Sequence, residues 1–341
     1  SNNYTGNLAD ICPVGALTSK DFRFKCRVWF LRGAKSICPG CANGCNIEAH
    51  FKGDILYRLK PRQNDAVNRT WMCDPGRLEY KKANEDRLLT PILREGDKRA
   101  AVSWDAVLFT TALRLRDAVD RHGRDAVAVI ASPKSSNEEL FLVKKLADEL
   151  LGTPNIAFAS RTAGNGLSDE FLIKPDKNPN TKGAQLLGIR EDAFDGIVRM
   201  IADGKIRALL VFGSALADLG AEATRALLGN VPFVAQVATN EGAVAAAAHA
   251  VMPSASFAER GGTFTNFAGR VQRFWPGFPP RGKARADVEI VAALANRLGA
   301  DWRFAGEAAV FRALAASCRP FAGMTYESLG DQGQVAGESS R

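Results

Sequence analysis

Four cysteines constrain this chain more than any other feature. Cys38, Cys41 and Cys45 lie in the loop CPGCANGC, and Cys73 follows in a distant segment, a spacing of C-x2-C-x3-C-x27-C. A four-iron, four-sulfide cubane takes one thiolate per iron. A compact loop can reach three corners while a separate segment reaches the last. Gly40 and Gly44 carry no Cβ, so the loop backbone can wrap close to such a cluster and aim N–H groups at its sulfurs. Structural zinc is the competing occupant. The spacing favours iron–sulfur, because zinc ribbons pair two C-x2-C knuckles and only one half here is a knuckle.

The 341 residues suffice for a large core, with two domains expected and one dominant. Five of the seven cysteines fall between Cys26 and Cys73. In a cytosolic setting such clustering reads as metal ligation, not a disulfide framework. The longest apolar run, Ala243 to Met252, is too short to span a bilayer and contains His249. Ser1 to Asp10 is polar, so no signal peptide is expected. The formal charge of +8 is concentrated: Lys20 to Lys82 holds 14 Lys/Arg against 6 Asp/Glu. A nucleic-acid partner is one reading of that patch. No aromatic-interleaved nucleic-acid motif accompanies it, and thiolate-bound clusters are themselves anionic, so the basic residues read as charge compensation.

In chain order, Cys12-Pro13 before an apolar turn has the form of the last ligand of a ferredoxin-type cluster, but the accompanying C-x2-C-x2-C run is absent upstream. Either the chain starts inside a longer protein or Cys12 is a free thiol. Phe22, Phe24, Cys26, Val28 and Phe30 alternate with period two, which predicts a strand over Asp21–Leu31 with Cys26 as a buried hydrophobe. Ile47 to Leu59 predicts a hairpin turning at Gly53-Asp54. From Ser103 helices and strands alternate. Helices are predicted over Trp104–Arg121, Ser136–Leu151 with a Ser136/Glu139 capping box, Glu191–Ala202, Ala221–Leu228 and Ala243–Ala248. Strands are predicted over Ala126–Ala131, Asn155–Phe158, Ile206–Phe212 and Pro232–Ala238, with another beginning at Val251. The pattern implies an α/β fold: a small β-rich domain, then a doubly wound parallel sheet. Arg161–Gly188 reads as loop with little helix. Gly213-Ser214, at a strand end, is either a ligand contact or a turn. Thr263–Trp275 predicts a hairpin, Asp287–Leu298 a helix, and Gly330–Arg341 a disordered end. His50, His122 and His249 are scattered and read as surface or packing residues.

The motifs CPVGALTSKDFRFKCRVWFL, CPGCANGC and MCDPGR together resemble the large iron–sulfur subunit of respiratory NADH:quinone oxidoreductase (complex I). SPKSSNEELFLVKKLADELLGTPNI and FAERGGTFTNFAGRVQRF resemble the same subunit and the wider molybdopterin oxidoreductase superfamily. The resemblance covers about residues 8 to 300. It implies a [4Fe–4S] cluster on Cys38, Cys41, Cys45 and Cys73. Cys12 would be the fourth ligand of another [4Fe–4S] cluster whose remaining ligands lie upstream. It also implies electron relay from a flavin-bearing, NADH-oxidising subunit toward quinone-module subunits, in a peripheral arm on the cytoplasmic face of the inner membrane. No catalytic residue is assigned to this chain. The implied domains are 1–30, the end of a ferredoxin-like cluster domain; 31–95, a [4Fe–4S] domain of the Mo/W-bis-MGD type; 96–310, a shortened molybdopterin-oxidoreductase-like α/β domain; and 311–341, a partly disordered tail.

Three departures argue against bound molybdopterin. Catalytic members of the superfamily follow the fourth ligand with x-Lys-Gly-Arg, whereas Pro75 stands in the lysine's place here. No cysteine that could bind molybdenum occurs between Cys73 and Cys318. The α/β insertion after Phe158 is reduced to roughly thirty residues, and no C-terminal barrel is expected from the residues of this chain. The GTFTNFAGR segment then reads as scaffold. Two alternatives remain: a truncated molybdopterin-dependent oxidoreductase of formate dehydrogenase type, and a zinc-stabilised binding module. Lys20, Arg23, Lys25 and Arg27 are expected to shape a cluster field or a subunit contact.

Overall fold

The computed structural model describes residues 2–96, 98–160 and 167–337. Three strands, β1 (Arg32–Ile37), β2 (Asn46–Lys52) and β3 (Ile55–Pro61), form an antiparallel sheet. Gly53 turns β2 into β3 with φ +62°, a conformation in which a Cβ is disfavoured. Ile47, Ala49 and Phe51 face inward from β2 and pack with Leu56, Leu59, Met72 and Tyr80. Phe278, from a distant segment, closes this core against Phe51 at 5.4 Å between ring centroids.

The larger sheet has seven strands. A hairpin, β4 (Ile92–Glu95) and β5 (Lys98–Ala101), forms one edge. The remaining strands are β6 (Val127–Ala131), β7 (Ile156–Phe158), β8 (Ala208–Phe212), β9 (Phe233–Ala238) and β10 (Ala250–Pro253). Their order is β5-β4-β10-β9-β8-β6-β7, with β10 through β7 mutually parallel and β4 antiparallel to β10.

Side chains that alternate along one strand enter two different cores. Val127, Val129 and Ala131 pack with helices Trp104–His122, Asn137–Lys145 and Asp287–Arg297. Ala128 and Ile130 pack on the other face with helices Phe194–Ala202, Ala221–Leu228 and Ala243–Ala247. That double coverage is why these strands read as unbroken apolar runs. The Ser136/Glu139 capping box forms, the helix finishes with a π-helical turn over Leu146–Leu151, and Gly152 closes it in the left-handed region.

A third sheet joins β11 (Gly262–Thr265), β12 (Arg270–Phe274) and β13 (Gln334–Val335). Two sequence expectations give way here. Residues 21–31 form turns and a 3-10 turn at Val28–Phe30, with Phe24 94% exposed and Cys26 half-buried; the alternating apolar residues have no sheet to pair with. The segment up to residue 337 is ordered and pairs with β12, and the boundary drawn at 310 falls inside helix Glu307–Ser317. The stretch read as loop with little helix holds one short helix, Thr181–Leu186, among its described residues, while residues 161–166 and 338–341 lie outside the described residues.

Candidate functional site

The last paired residues of β1 and β2 are Ile37 and Asn46, so residues 38–45 are the loop of a hairpin. Cys38 and Cys45 flank it, and the Cys38 N–H donates to the Cys45 carbonyl at 2.8 Å. Gly44 takes φ +63°, and a Cβ there would lie 2.8 Å from the Gln272 side-chain amide, so the position demands glycine twice over. The Asn43 amide donates to the Cys45 sulfur at 3.1 Å. Cys73 arrives from beyond β3 and caps the short helix Asp74–Arg77, its sulfur accepting the Gly76 N–H at 3.4 Å. Pro75 sits in the first turn, where its missing N–H leaves no bond unmade.

Cys38, Cys41, Cys45 and Cys73 line one cavity of about 320 Å³. All four are buried and none forms a disulfide. A Cβ on Gly76 would stand 3.2 Å from both the Cys38 and the Cys73 sulfur, so the absence of a side chain there keeps the space between two thiols open. Burial pushes the Cys38 thiol well up, Cys45 to about 12 and Cys73 to about 11. Such thiols do not ionise alone; cationic metal must replace their protons, so metal loading releases protons. Four buried sulfurs, N–H donors aimed at them and a glycine-walled space fit a [4Fe–4S] cluster.

The cavity is roofed by the segment read as loop. Leu167, Ile173 and Lys177 line it, and the Ala42 N–H donates to the Asp176 carbonyl at 2.9 Å. Lys134, from the loop after β6, and Lys82 also line it. The β11–β12 hairpin buttresses the cysteine loop from behind. The Asn266 amide donates to the Asn43 carbonyl at 3.2 Å, the Gln272 amide to the Gly44 carbonyl at 2.9 Å, and the Phe267 N–H to the Ala42 carbonyl at 2.8 Å. Sequence reasoning singled out the cysteines, Gly40 and Gly44. It passed over Asn43, Gly76, Gln272 and the roof, although the Cys-x2-Gly spacing of CDPG was a legible signal for Gly76.

Cys12 is not among the cavity residues. It follows the helix Asn7–Ile11, is half-buried, and accepts the Leu17 N–H at 3.5 Å. That N–H, with those of Val14, Ala16 and Gly15, lowers the thiol's pKa. Gly213 turns the chain with φ +65°; its carbonyl accepts from Gln236, and a Cβ would collide with the Ser132 hydroxyl, so its packing accounts for the glycine. His50 bonds Glu48 and Arg58, and His249 accepts the Val234 N–H, as packing residues do.

Residues 32–85 match the molybdopterin oxidoreductase Fe4S4 domain, and residues 87–187 and 187–297 match the molybdopterin oxidoreductase model. The chain belongs to the molybdopterin oxidoreductase family. Among its relatives, the NADPH-Fe(3+) oxidoreductase subunit alpha of Geobacter sulfurreducens is 36% identical over 159 residues, which is 46% of this chain and 18% of that protein. A subunit of the NADH-quinone oxidoreductase of Rickettsia conorii is 36% identical over 43% of this chain and 21% of its own. Subunit 3 of the Thermus thermophilus NADH-quinone oxidoreductase is 32% identical over 48% and 20%. The matched part thus spans about a fifth of these relatives. Acetylene hydratase from Pelobacter acetylenicus shares the fold, with a TM-score of 0.63, 12% identity, and coverage of 89% of this chain and 74% of that one.

Proposed function

We propose that this member of the molybdopterin oxidoreductase family is an iron–sulfur electron-transfer subunit of an NADH:quinone oxidoreductase. Cys38, Cys41, Cys45 and Cys73 would hold a [4Fe–4S] cluster, which supplies one-electron transfer at iron when bound. The observation that carries this reading is the convergence of four buried thiols, from one hairpin loop and one helix cap, on a cavity kept open by Gly76. One C-x2-C knuckle followed by cysteines at x3 and x27 suits a multinuclear cluster with one thiolate per iron better than the paired knuckles of a zinc site. The chain's own part is to hold the cluster, exclude water and direct the Asn43, Gly40 and Gly76 N–H donors at the ligand sulfurs.

Cys12, with backbone N–H groups converging on its sulfur, is proposed as the fourth ligand of a second [4Fe–4S] cluster. The relatives named as subunits of NADH-quinone oxidoreductase support partners of the same kind: a flavin-bearing NADH-oxidising subunit and quinone-module subunits. A peripheral arm on the cytoplasmic face of the membrane follows from that reading; among the described residues no helix is long and apolar enough to cross a bilayer. Molybdopterin is not part of the proposal, on the strength of Pro75 in the lysine's place.

Anaerobic purification, metal and acid-labile sulfide analysis, and EPR of the dithionite-reduced protein test the reading. Iron and sulfide in equal amounts, a cubane signal and its loss in Cys41→Ser are expected. Stoichiometric molybdenum or tungsten would favour a truncated molybdopterin enzyme, and one zinc without iron would favour a binding module.

A further inference from the structure

The roof over the four cysteines is fastened through one carboxylate. Asp169 begins the turn that brings Ile173 to the cavity wall, and its N–H donates to the Ile173 carbonyl at 2.9 Å. One Asp169 carboxylate oxygen accepts the N–H groups of Phe171, Leu172 and Ile173 at 3.0, 2.9 and 2.9 Å. The other accepts the Tyr4 hydroxyl at 2.6 Å. The Tyr4 hydroxyl in turn accepts the Leu172 N–H at 3.3 Å, and its ring packs 5.4 Å from Phe171. Tyr4 belongs to the segment tied to the fourth cysteine: the N–H of Asp74, next to Cys73, donates to the Asn3 carbonyl at 2.7 Å. The turn so held brings the Leu172 carbonyl within 3.9 Å of the Cys41 sulfur. The Tyr4–Asp169 bond therefore joins the segment carrying Cys73 to the roof lying over Cys41.

The same contacts fix a charge beside the site. Partial burial works against ionisation of Asp169, but the Tyr4 hydroxyl and the three N–H donors outweigh it and hold the carboxyl below its ordinary range. It is an anion at neutral pH, and the four donors named above are neutral. Glu79 also lines the cavity, but Lys82 offsets its charge at 2.7 Å. The field of Asp169 reaches a ligand: burial is the first cause that raises the Cys73 thiol, and the Asp169 charge adds to the rise. A carboxylate that resists ionisation of a ligand thiol also resists adding an electron to a cluster bound there, because both steps place negative charge at the same point.

We propose that Asp169 is a positioning residue of this site with two effects: with Tyr4 it latches the roof over the cysteines, and its fixed negative charge lowers the midpoint potential of the cluster they hold. The effect on potential rests on the [4Fe–4S] reading. The latch does not, because it governs access to whatever the thiols bind.

Two variants of the full chain, purified anaerobically with their metal, separate the effects. Asp169→Asn keeps an acceptor for the three N–H groups and a partner for the Tyr4 hydroxyl, which can turn to accept, but it removes the charge. Iron content and melting temperature should stay near those of the parent. In an EPR-monitored redox titration at pH 7 the reduced state should gain about three- to tenfold, a rise of about 30–60 mV at about 59 mV per tenfold for one electron. Tyr4→Phe keeps the ring and the charge but opens the latch. Its potential should move less than about threefold, while iron loss to excess bathophenanthroline should quicken about fivefold or more. An unchanged potential in Asp169→Asn with the cluster intact, with or without a lower melting temperature, would make the residue structural only and overturn the charge effect. Iron loss at the parent's rate from Tyr4→Phe would overturn the latch. Zinc in place of iron in the parent would overturn the electron-transfer reading and the charge effect with it. The rate at which Tyr4→Phe and the parent yield that zinc to 4-(2-pyridylazo)resorcinol would then decide the latch by itself, faster release supporting it and equal release overturning it.

Discussion

Single residues around the cavity differ in what they contribute, and two substitutions separate those contributions. Gly76→Ala would put a methyl group 3.2 Å from the sulfurs of Cys38 and Cys73, two of the proposed ligands, both in buried residues. Gly40→Ala meets the Glu79 side chain at 3.3 Å, a flexible neighbour that can yield. Iron and sulfide per chain should therefore fall steeply in the first and little in the second; equal retention in both would refute the role given to Gly76. Asn43→Leu leaves the cluster in place but removes an N–H donor to the Cys45 sulfur. Such donors stabilise the more negative reduced state, so the midpoint potential should drop by on the order of 50 mV, a tenfold change for one electron being about 59 mV. An EPR-monitored redox titration reads this directly. The cysteines were legible in the sequence because ligand spacing is local. Gln272 was not, because its partner Gly44 is met only once the loop is folded against β12, and Asn43 was not, because its bond to the Cys45 sulfur depends on the folded turn of the loop.

Elements were legible where burial imposed a pattern on consecutive residues. The strands β6, β8 and β9 read as apolar runs because both faces are covered. The β4–β5 hairpin went unread because β5, Lys-Arg-Ala-Ala, is wholly exposed at the sheet edge and shows no apolar alternation. The alternation over residues 22–30 misled in the opposite way: it is a surface pattern without a strand partner. The helix starting at Asn137 carries a feature no pattern discloses. Glu139, in its first turn, pairs with Arg260 in full burial, and Asp287 lies close enough to interact with the same guanidinium. One cation faces two carboxyls, and burial pushes Glu139 up to about 8 and raises Asp287. The folded protein thus keeps a proton that an unfolded carboxyl, titrating near 4.5, has lost. This contribution to stability is complete below about pH 4.5 and is lost as pH rises through about 8. Thermal unfolding across pH 5–9 should show that decline. Arg260→Met should cost about 3–5 kcal/mol at neutral pH by leaving buried carboxyls unpaired, and less at pH 5. A pH-independent cost would contradict the shared-proton account.

At the scale of the whole molecule, the question is how the cysteine-bearing sheet is fixed to the α/β domain. The C-terminal segment supplies much of the answer, although it read as a tail. The Tyr326 hydroxyl donates to the buried Glu138 carboxylate at 2.8 Å, and its ring packs 5.2 Å from Phe311. Asp331 binds Lys35 of β1 at 2.5 Å, its carbonyl accepts from Arg62, and the Gln332 carbonyl accepts from Asn64. β13 then pairs with β12, the strand whose Gln272 supports the cluster loop. The segment thus touches β1, β12 and the helix starting at Asn137 at once. Composition hid this, because its Gly, Ser and Glu content resembles a disordered end while the bonds that tie it to β1, β12 and Glu138 are long-range. Tyr326→Ala should destabilise by about 3–5 kcal/mol, as loss of a buried aromatic does. Ending the chain at Thr325 should cost at least as much and also lower iron retention on dilution, since the β12 support is loosened. Tyr326→Phe, which keeps the ring and removes one donor from Glu138, should cost about 1–3 kcal/mol with iron content unchanged. If the truncated chain melts and holds iron as the full chain does, the two sheets are joined by other contacts, and the Arg87–Glu259 pair, buried at 2.7 Å, becomes the principal clamp between them.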